Sequence, residues 1–116
     1  MSGNPLLFYN DSAMVDIIQN HLEELLELCR QYHVLKLYVF GSATTERFRP
    51  GESDIDLLVT FEPSLTPHEH RMAYFGFIDA AKSLFATEID LIEEPCIRNP
   101  YFREELDETR VKLYAA

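Results

Sequence analysis

The chain has 116 residues, of which 47% are hydrophobic, and a formal net charge of −10 at pH 7. This length and composition predict one packed domain, and they exclude both a disordered chain and two independent domains. The ten Lys and Arg residues are scattered along an acidic chain, so no direct nucleic-acid binding is expected, because phosphate contacts need clustered cations.

No segment has the features of a signal peptide or a membrane span, since the amino terminus lacks a basic region followed by a long apolar one. Cys29 and Cys96 have no metal-ligand spacing and predict free thiols in a reducing compartment. We therefore expect a cytoplasmic protein without a membrane segment.

The first predicted element is a long helix. Residues 1–12 contain Gly and Pro and predict a loosely ordered lead-in to a single domain spanning residues 1–116. Asp11 or Ser12 can cap the helix, which is expected to run to about Tyr32. One stripe of this helix, at a 3.6-residue period, is apolar and consists of Met14, Ile17, Ile18, Leu22, Leu25, Leu26 and Cys29.

Two apolar runs then predict strands, at residues 35–40 and 53–61. The first run ends abruptly at Gly41-Ser42. Between the two strands, residues 44–48 can form a short helix, and Pro50-Gly51 marks a turn.

The stretch from Gly41 to Val59, which leads from the end of the first strand into the second, contains the candidate ligand-binding residues. Asp54 and Asp56 lie two residues apart, so a strand places both side chains on one face with backbones about 7 Å apart. Neighbouring carboxylates in an apolar strand resist burial unless a cation lies between them, and oxygen ligands suit Mg²⁺. Gly41-Ser42 permits a close approach of backbone to phosphate. Each half alone also fits an ordinary turn or loop, but together they indicate a nucleotide–metal site.

A second long helix begins at a capping box, Thr66-Pro67-His68-Glu69, with Pro at the first helical position. Its His68 and His70 are two residues apart and point in different directions, so we expect solvated side chains rather than a zinc site. The apolar face of the helix consists of Tyr74, Phe77, Ile78, Ala81, Leu84 and Phe85.

Residues 88–92 predict a third strand, in which Asp90 faces away from its apolar neighbours. If this strand pairs beside the second, Asp90 joins Asp54 and Asp56 and is suited to deprotonate or orient an attacking hydroxyl. Alone, it is an edge-strand residue that faces water. A short helix from Asn99-Pro100 to about Thr109 and a final strand at residues 111–114 complete the chain.

These motifs resemble those of the minimal nucleotidyltransferases (MNT) of the DNA polymerase beta superfamily. The similar segments are Gly41-Ser42, Asp54-Ile55-Asp56-Leu57-Leu58-Val59, Glu88-Ile89-Asp90-Leu91 and Asn99-Pro100-Tyr101-Phe102. The resemblance covers about residues 14–114 and implies an α+β nucleotidyltransferase fold, a small mixed β-sheet packed by helices.

The resemblance also implies the site and its ligands. Gly41 and Ser42 hold the triphosphate of ATP, Asp54 and Asp56 bind two Mg²⁺ ions, and Asp90 completes the metal site facing the acceptor hydroxyl. Family members of this size are commonly antitoxins whose partners are HEPN-domain toxins, which some of them silence by adenylylating a tyrosine. An oligomer is expected, because a small open site needs a second subunit on the acceptor side.

The chain departs from the family after Gly41-Ser42. The family usually continues with Ala-Arg-Gly, whereas the first Arg here is Arg47, and eleven residues separate Ser42 from Asp54 where ten is commoner. Arg47 or Arg49 either substitutes for the missing Arg or is a solvated surface residue. Two other functions stay open: a non-catalytic antitoxin that neutralises its partner by contact, and nucleotidyl transfer to a small molecule.

Overall fold

A four-stranded mixed β-sheet organises the fold. The computed structural model describes residues 13–44, 49 and 52–116. The predicted α+β class with a small mixed sheet is confirmed. The helices are α1 (Ala13–Asn20), α2 (Leu22–Gln31), α3 (Pro67–Phe85) and α4 (Pro100–Thr109), and the strands are β1 (Val34–Phe40), β2 (Ile55–Phe61), β3 (Ile89–Glu93) and β4 (Val111–Ala115).

The strand order is β3-β2-β1-β4. β1 pairs antiparallel with both β2 and β4, whereas β2 and β3 are parallel. A parallel pair needs a long crossover, and α3 is that connection. The helix is tied to its sheet by the Tyr74 hydroxyl, which donates a hydrogen bond of 2.9 Å to the carbonyl oxygen of Leu91.

The two faces of the sheet bury different clusters. Alternate residues of β2 and β3 face α1, α2 and α3 and form the larger core. On the other face a smaller cluster of Phe40, Leu58 and Leu106 lies between the sheet and α4. Residues that alternate with the larger core therefore project toward the α4 side.

The predicted first helix is wrong in one respect, because it is interrupted at His21. The φ and ψ of His21 are −121° and 17°, and its N–H donates to Ile18, three residues back, rather than four. Asn20 and His21 favour helices only modestly, and the His21 ring packs edge-on against Phe85 at 5.7 Å. The predicted caps, Asp11 and Ser12, lie outside the described residues.

The start of α3 is confirmed. The Thr66 side chain accepts a hydrogen bond from the Glu69 N–H, the Glu69 carboxylate accepts one from the Thr66 N–H, and Pro67 is the first helical residue. The predicted α4 and β4 are also confirmed, and Asn99 caps α4 by accepting from Tyr101 and Phe102. Within the described residues no helix is both long and apolar enough to cross a bilayer.

Glu94, directly after β3, ties α4 to the sheet. Its Oε2 accepts hydrogen bonds from Arg103 at 2.9 Å and Arg110 at 2.8 Å, and the Arg110 guanidinium lies 4.3 Å from the centre of the Tyr38 ring. Burial alone would raise the pKa of Glu94, but the two guanidinium hydrogen bonds lower it below its ordinary value. Cys29 is buried, which raises the pKa of its thiol to about 12, whereas Cys96 is exposed.

We expect Glu94→Gln to lower the free energy of unfolding by about 2 kcal/mol at pH 7, because it leaves two partly buried guanidinium groups without their carboxylate. The folded-state pKa is depressed, so this stabilisation is present above the ordinary value of 4.5 and is lost as the pH falls through the lower folded value. Urea unfolding at pH 7 and at acidic pH measures both effects. Glu104→Gln, at an exposed position of α4, is the matched control and should change little.

Candidate active site

Asp56 and Asp90 occupy directly neighbouring positions on the parallel strands β2 and β3. The predicted pairing of the second and third strands is confirmed, and adjacent strands lie about 5 Å apart. Both residues alternate with buried side chains that face α3, so the two carboxylates project together from the opposite face of the sheet. Asp90 is exposed and Asp56 is partly buried.

Asp54 lies before β2, not within it, so its predicted position inside the second strand is wrong. Before it, the N–H groups of Glu52 and Ser53 both donate to the Arg49 carbonyl. The ladder begins only at Ile55, whose N–H donates to the Glu88 carbonyl at 3.0 Å. Asp54 is thus an exposed residue at the margin of the carboxylate pair.

Gly41 brings a turn of backbone against Asp56. Phe40, the last residue of β1, pairs with Asp56, and Gly41 follows at a φ of +73°. A Cβ at Gly41 would overlap Oδ2 of Asp56 and lie 3.2 Å from its Cγ. The absence of a side chain at this position is what allows the backbone and the carboxylate to lie in contact.

The turn after β1 is a 3₁₀ helix over Gly41–Thr44, in which the Thr44 hydroxyl donates to the Gly41 carbonyl at 2.8 Å. The short helix expected at residues 44–48 stays a prediction beyond Thr44, the last residue of this turn. Residues 45–48, which include Arg47, lie outside the described residues, as do Pro50, Gly51 and the Ser42 side chain.

Asp56 is a partly buried carboxylate among like charges. Burial, followed by the negative charges of Asp90 and Asp54, raises the pKa of Asp56 to about 6. A cation beside Asp56 would relieve both the repulsion and the cost of burial.

The carboxylate oxygens of this site suit a metal ion that keeps part of its coordination shell for water and other ligands. In the part of the chain that is described, no three His, Cys, Asp or Glu side chains are grouped so as to hold a metal by themselves. The site is therefore a carboxylate pair with a third carboxylate at its margin, all oxygen donors. Mg²⁺ fits such a site, because it is bound through one or two carboxylates plus water and substrate phosphates.

The two helix histidines take no part in this site. His68 is exposed, whereas His70 is not simply solvated as expected: its Nε2 lies 2.5 Å from the Glu93 carboxylate, and its ring packs against Phe61. Sequence reasoning also missed the cluster of Glu94, Arg103 and Arg110. The spacing of the two arginines, seven residues along one helix, was the one available signal that they share a face.

Comparison with known proteins gives matches over most of the chain. The family model for the nucleotidyltransferase domain matches residues 22–113. Two proteins of Methanocaldococcus jannaschii, both provisionally named protein adenylyltransferases, are 31% and 28% identical to this chain over 97 residues. Each alignment covers 84% of this chain and 91% of the relative.

Solved structures share the fold. A provisionally identified minimal nucleotidyltransferase superposes with a TM-score of 0.63 at 24% identity, over 88% of this chain and 97% of its own. A chain from the complex of a tri-AMPylated Shewanella oneidensis HEPN toxin with its MNT antitoxin superposes with a TM-score of 0.57 at 17% identity, over 84% of this chain and 72% of its own. A chain from a toxin–antitoxin structure with AMP-PNP superposes with a TM-score of 0.58 at 19% identity, over 82% of this chain and 73% of its own.

Proposed function

This chain belongs to the nucleotidyltransferase domain family, and we propose that it is an antitoxin that transfers AMP from ATP to a tyrosine hydroxyl of a HEPN toxin. The observation that carries the proposal is the pairing of Asp56 with Asp90 beside the Gly41 turn, where two neighbouring carboxylates lie next to a backbone turn that has no side chain in the way. The two relatives are provisionally named protein adenylyltransferases, and these names support a protein acceptor.

We assign Asp54, Asp56 and Asp90 to Mg²⁺, with two ions expected. Bound there, Mg²⁺ supplies positive charge to the α-phosphate and to the departing pyrophosphate. Gly41 and Ser42 are assigned to the triphosphate, whose oxygens can meet the backbone of the 3₁₀ turn, and Arg47 is assigned to it as a cation. ATP as the donor is supported by the neighbouring fold that carries AMP-PNP.

In the reaction, the acceptor hydroxyl oxygen bonds to the α-phosphorus while the bond from that phosphorus to pyrophosphate breaks. Asp90 is the exposed member of the pair, so it is the carboxylate that an incoming protein can reach. We assign it to orient the hydroxyl and to accept its proton. Asp56 is partly buried against the Gly41 turn, on the side where the donor nucleotide is bound.

The net charge of the chain and the neighbouring folds both support a HEPN-domain partner. The structural neighbours include an MNT antitoxin in complex with a HEPN toxin. A chain of net charge −10 is suited to meet a basic RNA-cleaving partner. The exposed position of Asp90 leaves the acceptor side of the site to be completed by that second subunit.

The test is intact mass spectrometry of the chain co-expressed with the product of its neighbouring gene. We expect an AMP-sized addition on the neighbour, which peptide mapping assigns to tyrosine. The control is Asp54→Asn/Asp56→Asn, which should bind the partner and add no mass. A stable complex with no added mass from the wild-type chain would contradict the proposal and favour neutralisation by contact.

A further inference from the structure

Two of the three large apolar side chains that are exposed in the described part of the chain lie side by side on α3. Met72 is 61% exposed and Phe75 is 57% exposed, while the third, Tyr101, is on α4. Neighbouring exposed apolar groups of this size are typical of a binding surface. The catalytic site does not use them, because α3 covers the other face of the sheet.

Met72 and Phe75 belong to a longer seam that has an imidazole at one end and a carboxylate at the other. His68, Met72, Phe75 and Asp79 are separated by four, three and four residues, which is the spacing of one continuous helix face. We call these four residues the α3 seam. All four line a groove of about 540 Å³ whose other wall includes Gln31, Tyr32 and His33 from the end of α2.

We propose that the α3 seam binds the α3 seam of a second copy of this chain, antiparallel and across a two-fold axis. An axis midway between Met72 and Phe75 sets each Met72 against the partner's Phe75. The same axis sets each His68 against the partner's Asp79. The contact is isologous, so every favourable pair occurs twice.

The polar side chains at the two ends, an imidazole and a carboxylate, select this occupant. A basic partner segment would leave His68 without a counterpart, and an acidic one would leave Asp79 without one. A second copy supplies both at once, because an imidazole N–H donates to a carboxylate whether or not the ring is protonated. Both residues are exposed, so the pair sets orientation and register more than it adds affinity.

The dimer is compatible with the proposed function without depending on it. The larger core separates the α3 seam from the sheet face that carries Asp56 and Asp90. Two copies joined through α3 therefore present their carboxylate pairs outward, away from the shared axis. Each pair remains open to a toxin.

Sedimentation equilibrium of the purified chain over a concentration series tests the contact. We expect a monomer–dimer equilibrium, with the dissociation constant raised about a hundredfold by Phe75→Ser, since each dimer loses the contact twice. Tyr101→Ser removes an aromatic group that is more exposed than Phe75, from α4, and should leave the constant unchanged. A wild-type chain that is monomeric up to ~1 mM, or a dimer indifferent to Phe75→Ser, would overturn the proposal.

Charge exchange tests the orientation. His68→Glu and Asp79→Lys should each weaken the homodimer about tenfold: the first sets two carboxylates against one another at both ends, and the second removes the carboxylate that accepts from His68 at both ends. An equimolar mixture of the two variants should associate more tightly than either alone, since the heterodimer pairs the introduced Glu with the introduced Lys at one end and keeps His68 against Asp79 at the other. Glu108→Lys on α4 controls for net charge. Failure of the mixture to recover association would exclude the antiparallel α3 contact.

Discussion

Asp56→Asn should abolish nucleotidyl transfer and at the same time stabilise the metal-free fold above pH 6. The loss of activity is expected to be at least on the order of a thousandfold, because the variant removes a carboxylate assigned to Mg²⁺ beside the reacting phosphate. The gain in stability has a separate cause. In the folded chain the Asp56 carboxylate is partly buried among like charges, and Asn has the same shape without the charge.

The pH dependence of this effect is opposite to that of a salt-bridged acid. The pKa of Asp56 is raised from 3.8 to about 6, so the folded chain binds more protons than the unfolded chain between these values. Wild-type stability therefore falls, relative to Asp56→Asn, as the pH rises through this window. Below pH 4 the two proteins should unfold alike, and at pH 8 the variant should be more stable by about 1 kcal/mol, because solvent screens a carboxylate that is only partly buried.

Urea unfolding in EDTA at pH 4 and pH 8 measures the difference. Asp54→Asn is the matched control: Asp54 is exposed, so its replacement should change stability by about 0.5 kcal/mol or less. Added Mg²⁺ should raise the midpoint of the wild-type chain at pH 8 and leave that of Asp56→Asn unchanged. An Asp56→Asn variant less stable than wild type at pH 8 would refute the electrostatic explanation.

Local signals predicted those elements of the fold whose ends are set by nearby residues. The start of α3 was predicted because Thr66, Pro67 and Glu69 satisfy its first N–H groups without help from the rest of the chain. The break at His21 was not predicted, because it involves Phe85, which is distant in the sequence. The apolar stripe continues through the break, so periodicity alone indicates one helix.

In the candidate site, too, the features set by nearby residues were predicted and those set by distant contacts were not. The alternation of Asp56 and Asp90 with apolar neighbours predicted that both leave the core face, and the pairing of β2 with β3 then brings them together. Asp54 was misplaced because the first residue of a strand depends on its partners: β3 begins at Ile89, opposite Ile55. No local pattern in the sequence carries that register.

Gly41→Ala should reduce transfer by on the order of a hundredfold or more while leaving the chain folded. Two costs add at this residue. A φ of +73° disfavours any side chain by about 1 kcal/mol, and the new methyl group would overlap Oδ2 of Asp56. The turn or the carboxylate must move, and both belong to the proposed nucleotide site. Initial rates at a temperature where the variant is fully folded give the effect.

Gly76→Ala is the matched control for this variant. A Cβ at Gly76 would overlap the ring of Tyr32, so stability should fall, but the position lies on α3, remote from the carboxylates. A comparable loss of stability with normal transfer rates would separate the geometry of the site from destabilisation in general. Normal transfer by Gly41→Ala would instead show that the contact with Asp56 is not needed for catalysis.

A double-mutant cycle isolates the clash at Gly41 from its backbone strain. The Asp56→Ala variant has no Oδ2 atom. In that background Gly41→Ala should lower the free energy of unfolding only by the strain of the positive φ, about 1 kcal/mol. With Asp56 present the cost should be larger, and the difference is the energy of the overlap. Equal costs in the two backgrounds would mean that backbone strain accounts for the whole effect and that Gly41 is needed for its φ rather than for its contact with the carboxylate.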